Sequence, residues 1–410
     1  MDFVYRLRPR RIYRGWFIVS ALFMASGLTI GSSQYAFGLF VGPLEETFGW
    51  SRTQISASLS FTAVGSLVAP LLGRFMDRHG ARPVLAFSLA LIFLSFALRP
   101  MMSELWHWYA LSLLQFVGYT GATILPAGRL IGIWFRRTRR RVMGITLLGN
   151  NFGGLWVPPV LAVSLSMFSW QGSYVVLAVL TALILAYAMI VLREYPETGE
   201  AEADSRLTRP EETPVLTGWT LKEALHSKAF YAIATAVLMG SFTYSAVLPQ
   251  VTAHLTNEGV SVTVASLALS VFAIFGMLGK LAMGFLSERI GSRYALMVDL
   301  SGQTLFVLVM MWAGTPAIMW LSVPMFGFFL GGFGALFSII VQDTFGIRHF
   351  GGIMGIINLA TMVSFGVGPL LAGASFDLTG SYNAAFMTTA VLFAIGALAL
   401  TQARVPSSGA

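Results

Sequence analysis

One ammonium stands in the middle of a long apolar run. Lys280 lies within residues 262–287, nine residues before Arg289. At the 1.5 Å rise of an α-helix that places it about 13 Å from the charged end of the segment. A cation at such depth in a hydrocarbon layer costs roughly 2.5 to 3.5 kcal/mol even on permissive insertion scales, so Lys280 is expected to face a cavity and to have work there. Ser266, Ala273 and Gly276 share its helical sector, leaving small side chains around the charge. The chemistry open to it is capture of an anion by a point charge that can also lose its proton.

Other polar groups in apolar stretches are candidates to line the same space. Ser112, Gln115, Tyr119 and Thr123 fall in one narrow sector at 100° per residue, with Gly118 and Gly121 beside them, and are expected to line a central path. Gly27, Gly31 and Gln34 form a second small and polar stripe, for which a solvated cavity and close helix packing are both open. Arg129 and Asp299 lie about 10 Å and 9 Å inside their segments at the same helical rise, where gating or structural roles are favoured and Asp299 is a second proton-carrying candidate. Arg129 could reach Asp77 or a lipid phosphate. His254, on the face of Gln250, is expected at a solvated helix end. Catalysis has little support: no phosphate-binding loop, metal-ligand cluster or nucleophile with its base is apparent, and the chain has no cysteine. No cofactor or metal is expected.

The elements that hold these groups can be read from composition. Of 410 residues, 56% are hydrophobic and only 11% charged, and the mean hydropathy is +0.74. Such a chain cannot cover a water-facing surface with charge. Twelve apolar stretches are long enough to cross a core of about 30 Å, near 16–41, 53–73, 83–98, 105–134, 142–168, 172–192, 229–253, 262–287, 294–313, 317–342, 351–375 and 383–403. The net charge of +8 does not point to nucleic acid, because the arginines gather at membrane edges. Arg6, Arg8, Arg10, Arg11 and Arg14 precede the first stretch and Arg136, Arg137, Arg139, Arg140 and Arg141 follow the fourth, whereas Arg52 and Arg99 are read as the charges of the opposite loops. By the positive-inside rule both termini are cytoplasmic. The first apolar run is too long for a cleavable signal.

Residues 194–228 interrupt the hydropathy with Glu194, Glu197, Glu200, Glu202, Asp204, Glu211 and Glu212, and read as a cytoplasmic linker. Within it, Trp219 to His226 could form a short surface helix. On either side lies the same pattern. Gly73 to Arg82 maps onto Gly284 to Arg293 at a fixed offset of 211, pairing Asp77 with Glu288, Arg78 with Arg289, Gly80 with Gly291 and Arg82 with Arg293. The same offset carries Met143-Gly144-Ile145 onto Met354-Gly355-Ile356 and Pro158 onto Pro369, the mark of a tandem duplication. Residues 1–193 and 229–410 are thus expected to be two six-helix bundles.

The duplicated turn resembles the loop signature of the major facilitator superfamily of secondary transporters. Its implied fold is all-α, with twelve transmembrane helices in two pseudo-symmetric bundles around a central cavity, and gating is implied for Asp77, Arg78, Arg82, Glu288, Arg289 and Arg293. Finer motifs are similar to those of the monocarboxylate transporters and the bacterial oxalate and formate exchangers: Trp134-Phe135-Arg136-Arg137 before Gly149-Asn150-Asn151 and Gly153-Gly154, Tyr35 to Phe40 in the first span, and Gly368-Pro369 with Phe376-Asp377 and Thr379 to Tyr382. The resemblance implies substrate-binding roles for Lys280, Tyr119, Leu28, Ile145 and Gln34, and its positions at Gly276 and Asn358 are expected at the same site. Lys280 stands where that group carries a substrate-binding Arg. Its Asp one turn earlier is Gly276 here, a helix-1 Lys of the mammalian members aligns with Gln34, and Asn358 sits where a dicarboxylate exchanger would carry a second Lys. The expected function is proton-coupled uptake of a small organic monoanion, lactate-like or pyruvate-like, across a bacterial-type inner membrane by a single chain. Anion exchange and export of amphipathic drugs or organic anions are the alternatives, the latter kept open by Phe326, Phe328, Phe329, Phe333 and Phe337.

Overall fold

The computed structural model describes residues 13–135, 139–195, 218–346 and 350–403. The arginines before residue 13, Arg136, Arg137 and the charged linker 196–217 lie outside the described residues, as does the side chain of Asp77. Among the described residues the chain is helical with no strand, one isolated bridge joining Gly218 to Gly346. The helices are α1 (Gly15–Ile30), α2 (Phe37–Phe48), α3 (Arg52–Ala57), α4 (Phe61–His79), α5 (Ala81–Leu98), α6 (Leu105–Ala122), α7 (Ile124–Trp134), α8 (Arg139–Met167) and α9 (Trp170–Val191), then α10 (Leu221–Leu225), α11 (Lys228–Gly240), α12 (Val251–Asn257), α13 (Val262–Ile290), α14 (Ser292–Met310), α15 (Pro316–Phe345), α16 (Phe350–Thr379) and α17 (Asn383–Ala399). Nine segments among the described residues are long and apolar enough to cross a membrane. Helices α4, α8 and α14, of 19, 29 and 19 residues, are of spanning length but less apolar.

Local chemistry sets the ends. Ser51 accepts from the Gln54 N–H while the Gln54 side chain accepts from the Ser51 N–H, a reciprocal cap that starts α3. Thr220 and Glu223 do the same for α10, the short helix anticipated near Trp219. Three interruptions were not anticipated. The first span runs from α1 through a π-helical turn at Gly31–Tyr35, and the fourth breaks at Thr123, whose φ of −112° and ψ of −112° separate α6 from α7. A second π turn, Thr243–Val247, interrupts the span that begins with α11. Such turns inside helices are frequent at functional sites.

The duplication reaches the hydrogen bonds. Helices α4 and α13 end at Gly80 and Gly291, with φ of +89° and +85°, where a side chain would be strained. Two residues further on, Arg82 Nη2 donates to the Met189 carbonyl at 2.6 Å and Arg293 Nε to the Leu400 carbonyl at 2.7 Å, donors and acceptors both 211 residues apart. Each guanidinium thereby satisfies a carbonyl at the C-terminal end of the last long helix of its own repeat. The two arginines that the family pattern marks as gating therefore bond within their own repeats in this structure. Arg78, Glu288 and Arg289 are exposed.

Small residues let backbones touch where the helices cross. A Cβ on Gly153 would run into the Gly27 carbonyl, on Gly331 into the Gly276 carbonyl, and on Gly279 into the Phe328 carbonyl. Gly27 and Gly31 are accordingly packing residues between α1 and α8 rather than cavity wall.

Candidate functional site

Helix α13 brings Lys280 against α8 of the first repeat. Its Nζ donates to Asn151 Oδ1 at 3.1 Å, and Asn151 Nδ2 makes a long 3.5 Å contact with the hydroxyl of Tyr35, the last residue of the first π turn. An ammonium only donates, so Oδ1 must be the atom facing it. Ser270 reinforces the same crossing by donating to the Leu155 carbonyl at 2.7 Å, and Phe272 meets the Tyr35 ring edge-on at 5.9 Å. Lys280 forms no ion pair among the described residues. Gly276, one turn earlier, is bare on the side of the amide, where a Cβ would fall 2.7 Å from Asn151 Nδ2.

Around this bond the expected site residues divide. Tyr119 is half-buried with its ring 6.1 Å from that of Phe116, and the Tyr244 hydroxyl donates to the Leu330 carbonyl at 3.4 Å. Gln34 is buried in the π turn beside Tyr35, and its Oε1 lacks a hydrogen-bond partner. Leu28 is a packed core residue at 1% exposure, whereas Ile145 is 43% exposed. Asn358 is exposed on α16, and no described hydrogen bond joins it to Lys280. Asp299 is fully buried on α14, where Oδ2 accepts from Gln303 at 2.7 Å and Oδ1 has no hydrogen-bond partner. Among the described residues no three His, Cys, Asp or Glu side chains gather to hold a metal.

Arg129 is held by Glu194, a partner the sequence does not mark: its Nε donates to Oε1 at 2.5 Å, while Glu194 Oε2 accepts from the Ala81 N–H at 2.8 Å and caps α5; the expected contact with Asp77 falls on a side chain outside the described residues. Ser112 and Gln115 do not line a central path. They receive Arg99, whose Nη2 donates to them at 3.2 Å and 2.6 Å. Arg99, read from sequence as a loop charge, is 4% exposed and sits over Trp108 at 4.4 Å and Tyr174 at 4.7 Å. His254 is likewise buried instead of solvated, its Nε2 paired with the Met310 carbonyl at 2.9 Å and its ring 4.9 Å from Phe386. Phe326 and Phe333 are core residues and Phe329 stacks on Phe306 at 5.8 Å, so this aromatic run packs helices.

Asn151 and Tyr35 stand in recognisable sequence motifs, yet nothing local to either assigns it a role at the charge. The available signal was a paired amide, Asn150-Asn151, in an apolar span. A lock at the end opposite the arginine-rich turns is also invisible in the sequence. There Asp377 accepts the main-chain N–H groups of Arg52 and Thr53, both at 2.9 Å, and the Arg52 guanidinium lies 3.4 Å over Phe376. Arg52 also donates to Glu45 at 2.9 Å and to the Tyr382 hydroxyl at 3.3 Å. Burial, outweighing the nearby Arg52, pushes Tyr382 up to about 12 and keeps it neutral.

Comparison with known proteins places this architecture. A model of the major facilitator superfamily matches residues 19–320 and again 233–410. Monocarboxylate transporter 12 of Rattus norvegicus is 24% identical over 424 residues, covering 95% of this chain and 85% of that protein. Monocarboxylate transporter 11 of Mus musculus is 27% identical over 394 residues, covering 91% and 83%, and an uncharacterised MFS-type transporter of Bacillus subtilis (strain 168), YcxA, is 23% identical over 383 residues, covering 90% of each. Among solved structures, a bacterial homologue of the human lysosomal transporter Spinster in an inward-facing, occupied conformation superposes with a TM-score of 0.76 at 16% identity, over 95% of this chain and 97% of that one. The nucleoside transporter NupG gives 0.72 at 15% identity, over 94% and 99%. Those likenesses establish the fold, and the superfamily match, which begins at residue 19 and runs to the last, shows what the repeated arginine turn is part of: the chain belongs to the major facilitator superfamily and is a transporter, not an enzyme.

Proposed function

We propose that this transporter moves small monocarboxylates of lactate or pyruvate size across a bacterial-type inner membrane, by alternating access of two bundles, residues 1–193 and 229–410, coupled to a proton. Lys280 carries the proposal: a lone ammonium deep in α13 that faces the first repeat and is answered there by a neutral amide at 3.1 Å. With glycine at position 276, one turn earlier on the helix, the charge is left for a substrate anion. The monocarboxylate transporters among the relatives support the same substrate class.

Coupling follows from charge. An incoming carboxylate favours protonated Lys280, and protonated Lys280 favours the carboxylate, so proton and anion binding assist one another by equal amounts. The occupied site carries no net charge into the low-dielectric path. Asp299 is the alternative proton carrier. We read the arginine-rich end as cytoplasmic with both termini on that side, the twelve long segments as crossings, Tyr119 and Gln34 as pocket residues, and a single chain as the working unit. The Asp377 to Arg52 lock then closes the outer end, as alternating access requires of a carrier open to the cytoplasm. Purified protein in liposomes loaded with a pH dye tests the proposal: acid outside must drive accumulation of acetate, pyruvate or lactate, and entry must acidify the interior in step. Counterflow without any gradient-driven accumulation would leave anion exchange in its place.

A further inference from the structure

Resting on that reading of Lys280, we propose that Asn151 is its resident ligand, a carboxamide that holds the ammonium in the empty site and is displaced by the incoming carboxylate. The geometry reserves a place for it. Asn151 is 5% exposed, Oδ1 lies 3.1 Å from Nζ, and Nδ2 points back to Tyr35 at 3.5 Å. Two glycines make the approach possible. Any side chain at position 276 would intrude on Nδ2 at 2.7 Å, and a Cβ at position 154 would strike the Tyr35 ring that stands behind the amide. The Asn151 amide thus fills the space that the bare Gly276 leaves on α13.

The choice of amide over acid has a chemical consequence. A carboxamide satisfies one donor of the ammonium but brings no charge, so it keeps a buried cation solvated and loses to a carboxylate, which adds the attraction of an opposite charge to the hydrogen bond. A carboxylate at position 151 would neutralise Lys280 permanently and repel the substrate. Because Asn151 is on α8 and Lys280 on α13, displacement also cuts a bond between the two repeats. Substrate arrival would then loosen this crossing as it fills the site.

Equilibrium binding of acetate, pyruvate and lactate to the purified full-length protein, with the unfolding temperature of each variant as a fold control, tests the assignment. Asn151→Ala removes the competitor and is expected to tighten apparent binding about tenfold to a hundredfold, the worth of one net hydrogen bond to a charged group. A purely structural role would weaken binding or leave it alone. Gly276→Ala, whose added methyl pushes the amide off Lys280, should shift affinity in the same direction by a smaller factor and decides the matter if Asn151→Ala does not fold. Asn151→Asp should abolish binding in a folded protein. Unchanged or weaker binding in a folded Asn151→Ala, or Gly276→Ala if that variant fails, overturns the proposal. The two levels are separable: if the unaltered protein binds none of the three acids, or Lys280→Gln binds them as well as the unaltered protein, the parent reading fails. If Lys280→Gln is inactive and removal of the amide brings no tightening, only the role of Asn151 fails.

Discussion

Asp377 of the second repeat accepts the main-chain N–H of Arg52 of the first at 2.9 Å, and its other oxygen accepts that of Thr53 at the same distance. A carboxylate on a helix N-terminus satisfies donors that the helix cannot, and meets the positive end of its dipole. The two repeats are thereby pinned at one end, and opening of that end in the proposed cycle requires this bond to break. Asp377→Asn keeps the shape but presents a donor where an acceptor is needed, forfeiting about 1.5 to 3 kcal/mol of charge-assisted bonding. Because the chain has no native cysteine, a single cysteine introduced at Ser60 reports opening directly. Its labelling by a membrane-impermeant maleimide is expected to rise in Asp377→Asn; unchanged labelling would remove the lock from the transport cycle.

Arg82 and Arg293 are expected to behave as a matched pair. Each donates to a carbonyl at the end of its own repeat, and each alanine variant should lower stability by about 0.3 to 2 kcal/mol, the range for a cation at a helix C-terminus. Similar drops in the unfolding midpoint, with counterflow retained, are the predicted result. Loss of transport at unaltered stability in either variant would instead assign that arginine to gating.

For Arg99 the expected loss is in folding. Its guanidinium is held by Gln115 at 2.6 Å and by the face of Trp108 at 4.4 Å, so Arg99→Ala forfeits a desolvated cation–π contact worth about 2 kcal/mol or more. Arg99→Lys keeps the charge but not the planar fork and should recover only part of the unfolding midpoint. Normal stability with altered substrate preference would make Arg99 a ligand residue instead.

What was legible in the sequence was whatever local physics dictates. The cost of a charge in an apolar helix marks Lys280, and the need for a left-handed glycine at a tight turn marks Gly80 and Gly291 at one offset. Arg99 was misread because it lies at the end of α5, where position along the chain cannot tell a charge facing solvent from one folded back among aromatic rings. Gly27 and Gly31 were ambiguous since small residues suit both a cavity and a close crossing, and only the facing Gly153 decides. Thr123 breaks its span three residues before Pro126, which has no N–H to give the Ala122 carbonyl that ends α6, a local signal hidden within an otherwise continuous apolar run. Asn151 meets Lys280 across 129 residues, a proximity created by the packing of α8 on α13.

Asp299 separates the two candidate proton carriers. It is fully buried and bonded to Gln303 at 2.7 Å, an arrangement that Asp299→Asn can keep by presenting its carbonyl oxygen. With Lys280 as the carrier, Asp299→Asn in liposomes should still accumulate substrate under an inward proton gradient. Retained counterflow with gradient-driven accumulation abolished would transfer the coupling to Asp299.

The most direct test of the account is binding and counterflow of acetate, pyruvate and lactate by Lys280→Gln beside Lys280→Arg, each first shown to unfold at the temperature of the unaltered protein. The account predicts no specific binding and no counterflow for the glutamine variant, and partial transport with a changed order of preference for the arginine variant, whose fork can take a carboxylate by two bonds but cannot give up its proton. Binding by a folded Lys280→Gln that equals that of the unaltered protein would contradict it.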